Sequence, residues 1–123
     1  MPLLTDIVRH RYQVFQKKME LCREVLGNFS AHNCVGYGAT NMLPILFYHL
    51  KIREAQLPVI LDDDKAKNDL RFANLNVTIK IPDLPKDIEG KTVVVTALDH
   101  VRTIVAKLRQ NNPRQIVVPL NMY

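Results

Sequence analysis

Two glycines lie in the run Gly36-Tyr37-Gly38-Ala39-Thr40-Asn41, directly after a short apolar segment. A residue without Cβ lets the backbone turn tightly and lets a phosphate approach the N–H groups that open the next helix. A dinucleotide fingerprint would place a third glycine or alanine where this chain has Asn41, so the fingerprint is broken, and the turn alone fits either a ligand or tight packing. Asp62 stands 24 positions beyond Gly38, near the ~20-residue separation at which an acid accepts hydrogen bonds from ribose hydroxyls. Asp63 and Asp64 extend that acid into a run that reads as loop acids or, with less support, as part of a divalent-cation site. No compact set of further carboxylates or histidines accompanies them, so no metal is expected.

A second ligand-facing loop is expected at Thr96-Ala97-Leu98-Asp99-His100, with Arg102 in the following helical turn. His100 could exchange a proton near neutral pH, but spacing assigns it neither a nucleophile nor an orienting acid, and an exposed cap histidine is favoured. No catalytic residue is assigned. His10, His32 and His49 are scattered and read as structural.

The elements that would position these residues follow from periodicity. Leu4, Ile7, Val8, Tyr12, Phe15, Met19, Cys22 and Leu26 recur at three- and four-residue spacings, which predicts one amphipathic helix from Leu3 to about Leu26. Gly27-Asn28 would end it in a left-handed conformation. His32–Tyr37 predicts a strand, and Thr40 or Asn41 a cap for a helix to about Leu50 that tolerates Pro44 in its first turn. Leu57–Leu61 predicts a second strand, and the alternating Val77–Ile81 a short edge strand. The β-branched run Lys91–Ala97 predicts a strand buried on both faces at the sheet centre. Asp99 would cap a helix from His100 to Gln110, and Gln115–Val118 would close the sheet. This alternation predicts an α/β chain with a single Rossmann-like domain, a mostly parallel sheet of about four to five strands flanked by helices. Residues 1–28 form the long N-terminal helix, packing on the domain or on a neighbour, and residues 29–123 form the Rossmann-like domain.

At 123 residues and 47% hydrophobic composition, the chain suits one core and not two. Its apolar runs fall short of the ~20 residues of a membrane span, and no signal-peptide pattern opens it, so a cytoplasmic protein without membrane contact is expected. Cys22 and Cys34 lack metal or redox spacing and read as buried thiols. The formal net charge of +5 attracts phosphates without choosing among carriers. Its share in Arg9, Arg11, Lys17, Lys18 and Arg23 reads as a solvated helix face, and without interleaved aromatics nucleic acid is disfavoured.

Taken together, the lead-in helix, Gly36-Tyr37-Gly38-Ala39, Leu61-Asp62-Asp63-Asp64-Lys65-Ala66-Lys67, the Val93–Ala97 strand and Ile116-Val117-Val118-Pro119 resemble the C-terminal domain of sugar C-methyltransferases that use S-adenosylmethionine (SAM). The matching positions are the Tyr-Gly-Ala turn, the acid at Asp62 and the base at Lys67. Met42-Leu43 stands where the family usually has Lys-Gly, and Leu98 where a tryptophan is common. The resemblance implies a Rossmann-like domain that helps enclose a nucleotide-sugar, with SAM and catalysis in a separate preceding domain. It leads to the expectation of a nucleotide or nucleotide-sugar binding module that is non-catalytic alone, with a SAM-binding catalytic domain or subunit as a further partner. The alternatives are a compact SAM- or NAD-dependent enzyme and an interaction domain that has lost its ligand.

Overall fold

The computed structural model describes residues 3–27, 33–53, 56–68, 72 and 75–119. Helix α1 spans Leu4–Leu26. It is followed by β1 (Cys34–Tyr37), α2 (Leu43–Leu50), β2 (Val59–Leu61), β3 (Thr78–Lys80), β4 (Thr92–Val95), α3 (Val101–Arg109) and β5 (Gln115–Val117), with a 3-10 turn at Lys65–Lys67 after β2. The strands form one sheet in the order β3-β2-β1-β4-β5, and every pairing is parallel. This is the strand order of a Rossmann-type sheet, in which the chain reverses its direction of travel between β1 and β4.

Strand alternation divides the core into two layers. Cys34, Ile60, Ile79 and Val94 pack with Leu43, Leu46, Phe47 and Leu50 of α2 and with Met19 and Leu26 of α1. The intervening residues Val35, Tyr37, Leu61, Val93 and Val95 face the other way and pack with Val101 and Leu108 of α3 and with Ile88. Side chains of successive strand residues point to opposite faces, so the period of two is what sends Tyr37 toward α3.

Several sequence expectations need correction. The middle of the sheet is β1, not β4, because the crossover carries β4 to the far side of β1; β4 is still buried on both faces, with β5 along its outer edge. Asp99 does not cap α3, which begins after His100 in a left-handed conformation (φ 58°) with no side-chain cap. Helix α2 starts at Leu43 behind Met42, and Thr40 serves it from two residues back, its hydroxyl accepting from the Met42 N–H (3.3 Å). Gly27 ends α1 in a right-handed conformation (φ −58°), its N–H donating to the Arg23 carbonyl at 2.9 Å; Asn28 and His32 lie outside the described residues. Cys34 is buried, which pushes its thiol up to about 11, whereas Cys22 is only half-buried.

Among the described residues, it is the second half of α1 that packs on the sheet and α2. Met19 and Leu26 are buried and Phe15 packs beside them, but Leu4, Val8 and Tyr12 on the same face are 76%, 59% and 54% exposed. At 1.5 Å rise per residue this leaves an overhang of roughly 12 Å. No helix among the described residues is long and apolar enough to cross a membrane.

The two glycines answer different constraints. In β1, Gly36 lies opposite Ile60, and a Cβ there would overlap the Ile60 Cδ1 methyl, the movable end of a side chain. Gly38 has φ +114°, and its Cβ would lie 2.7 Å from the Ala97 Cα, which is backbone and cannot swing away. Gly36→Ala should therefore cost about 1–3 kcal/mol through overpacking. Gly38→Ala should cost more than Gly36→Ala in urea unfolding; equal losses would contradict this ranking.

Candidate functional site

The carboxyl ends of β1, β2 and β4 open into a cleft of about 410 Å³. Its floor is the glycine turn, which is tied to both neighbouring strands. The Gly38 N–H donates to the Leu61 carbonyl (2.7 Å), and the Thr96 N–H donates to the Tyr37 carbonyl (2.9 Å). The Thr96 hydroxyl donates to the Gly38 carbonyl, and the Thr40 hydroxyl donates back to the Thr96 carbonyl. On the β2 side, Asp62 accepts from the Ala39 N–H through Oδ2 and from the Asp64 N–H through Oδ1, both at 2.8 Å. Lys67 completes this side, donating to the Ala39 carbonyl at 3.0 Å with its ammonium 3.6 Å from Asp62.

A second cluster forms the wall between β1, β2 and α3. Tyr37 donates its hydroxyl proton to Asp63 Oδ2 (2.8 Å), and Lys107 donates to Asp63 Oδ1 (2.7 Å) and to the Tyr37 oxygen (2.9 Å). Desolvation opposes ionisation of Asp63, but the hydrogen bonds from Lys107 and Tyr37 together outweigh it and hold the carboxyl below its ordinary 3.8. Lys107 is likewise opposed by desolvation, yet Asp63 and Tyr37 raise it above 10.5. Burial, more than any neighbour, raises the Tyr37 hydroxyl above 10.0. At neutral pH the cluster is therefore an ion pair bridged by a neutral phenol, with no group poised to accept a proton.

Of the residues singled out from the sequence, Tyr37, Gly38, Thr40, Asp62, Asp63, Lys67 and the loop Ala97–His100 line the cleft. Ala39 contributes its backbone through the Asp62 and Lys67 contacts. Gly36 is buried within β1, Thr96 is buried beneath the turn, and Asn41 and Arg102 are exposed and do not line the cleft. Sequence reasoning missed Lys107, Thr103 and Ile104 of α3. The available signal was Ile104 on the inward face, since Lys107 follows it at the i+3 spacing that shares a helix side. Among the described residues, no group of three or more His, Cys, Asp or Glu is placed to hold a metal ion.

This constellation sits on a parallel sheet at the point where strand order reverses. The sequence pattern of a family described as the C-methyltransferase C-terminal domain matches residues 7–120, nearly the whole chain. The chain belongs to this family. No curated protein matches it. For this C-methyltransferase C-terminal domain, the match covers every residue that lines the cleft.

The Asp63–Lys107 pair makes stability depend on pH. The folded-state Asp63 carboxyl lies below 3.8, so its contribution is present above that value and fades as pH falls through the depressed one. The Lys107 contribution is present below 10.5 and fades as pH rises through its elevated value. Asp63→Asn should therefore lower stability by a constant amount across the neutral range, and the gap from the parent should close in acid. A gap that widened on acidification, followed by denaturant titration, would contradict this.

Proposed function

We propose that this domain is a non-catalytic binding module that holds a nucleotide or nucleotide-sugar in the β1–β4 cleft, in the cytoplasm, beside a SAM-binding catalytic domain or subunit. The observation that carries this is the cleft's position. In open α/β sheets, ligands bind outside the carboxyl ends of the strands where the order reverses, because the connecting segments diverge there and leave a crevice. The crevice here has a hydrogen-bonded floor, polar walls and room for a ring of sugar or base size. Membership of the C-methyltransferase C-terminal domain family supports a role beside methyl transfer.

One observation favours a second reading, partner contact through α1. Leu4, Val8 and Tyr12 continue the face that buries Met19 and Leu26, yet remain exposed. An overhang of this kind suits the catalytic domain as a packing partner.

Titration with nucleotide sugars, nucleotides and SAM, followed by backbone amide shifts, tests the binding module. Saturable shifts are expected at Tyr37–Thr40, Asp62–Lys67 and Ala97–His100, with SAM alone inactive. No response there at millimolar ligand would overturn it. For the second reading, Val8→Ser should weaken binding to the purified catalytic domain while changing the stability of this domain by less than about 0.5 kcal/mol.

A further inference from the structure

The charge on the cleft wall bears on which part of a nucleotide-sugar enters it. Three carboxylates, Asp62, Asp63 and Asp99, and two ammonium groups, Lys67 and Lys107, line the cleft, a formal net charge of −1 on the same count that gives the chain +5. The whole chain carries +5, so the cleft runs against its surroundings. By contrast, a groove of about 310 Å³ at the C-terminal ends of α1 and α2 is lined by Arg23, Lys51 and Arg53, with no acid among the described lining residues. The basic excess lies away from the cleft.

Several groups that a diphosphate would use are also engaged already. Lys107 is 2.7 Å from Asp63, and Lys67 is held by the Ala39 carbonyl and Asp62. The Gly38 and Ala39 N–H groups, the nearest equivalents of a phosphate-binding turn, donate to Leu61 and Asp62. An entering diphosphate would meet net negative charge and would have to break an ion pair to gain a cation. Uncharged hydroxyls face neither cost. Carboxylates retain acceptor capacity after one or two hydrogen bonds, and the Thr103 side chain adds a hydroxyl. Ala97 and Ile104 offer an apolar surface to the face of a ring.

We propose, building on the binding module above, that the cleft takes the uncharged, polyhydroxylated ring of its ligand, with Asp63 and Asp99 accepting from ring hydroxyls, and leaves the diphosphate outside. Sugar and ribose share this chemistry.

Amide-shift titrations with glucose, uridine, uridine diphosphate, UDP-glucose and inorganic pyrophosphate test it at two salt concentrations. Saturable cleft shifts are expected with glucose or uridine, and which of the two binds identifies the ring. Pyrophosphate should leave the cleft amides unmoved. Adding the diphosphate to uridine should change affinity by less than about threefold, with little salt dependence, because an uncharged contact is not screened. Asp63→Asn frees Lys107 and removes an acceptor, so it should strengthen binding of pyrophosphate and weaken that of the neutral ring; its dispersed amide spectrum confirms folding. Cleft shifts with pyrophosphate itself, or uridine diphosphate binding more than about tenfold tighter than uridine with steep salt dependence, would overturn the proposal while leaving the binding module intact. Silence from all five probes would remove both.

Discussion

The close approach of β1 and β4 at their carboxyl ends is the constraint on which the cleft depends. The backbone at Gly38 passes so near Ala97 that no side chain fits between them. The Thr96 hydroxyl and N–H use that closeness to bond the Gly38 and Tyr37 carbonyls. Polar backbone atoms at the end of a buried strand would otherwise lack partners, and an unpaired buried group costs about 1–3 kcal/mol. Conformational freedom at one glycine thus lets two strands satisfy one another. Asp62 adds to the Gly38–Leu61 bond on the β2 side, its carboxylate accepting from the Ala39 and Asp64 N–H groups.

Tyr37 joins this floor to the core. Its ring packs among Val93, Val95 and Leu108, while its hydroxyl reaches the edge of the cleft between Asp63 and Lys107. An aromatic residue with a polar tip suits a site that is dry at one end and wet at the other. Lys107 lies along α3 with its ammonium 5.5 Å from the Tyr37 ring centroid, so the same cation meets the ring, the phenol oxygen and the carboxylate. A helix, a central strand and the loop after its neighbour are thereby fastened at one point. Because this fastening consumes the charges, the wall retains hydrogen-bonding capacity without a surplus of positive charge.

Much of the fold was legible in the sequence. The three-and-four spacing of α1, the β-branched run of β4 and the alternation of strands with helices all reflect local geometry that the side chains themselves impose. The resemblance read from such local runs agrees with the family match over residues 7–120. The ends of elements were less legible. His100 rather than Asp99 precedes α3 because the chain leaves β4 through a left-handed residue, a choice made by the path of the loop and not by capping preference.

The functional site divides in the same way. Sequence alone determined that a glycine turn, an acid after the second strand and a loop after β4 would share one sheet edge, since parallel strands bring their carboxyl ends together. It also determined that Gly38 had a backbone role. Only the tertiary structure decided that Gly36 makes room for Ile60, that Asp62 braces the turn, and that Lys107 neutralises Asp63 from 44 residues away. Those facts depend on strand register and on which side of the sheet α3 covers, and neither is encoded in the spacing of residues along the chain. The glycine turn came from local pattern; the charge of the cleft above it came from contacts between segments remote in sequence.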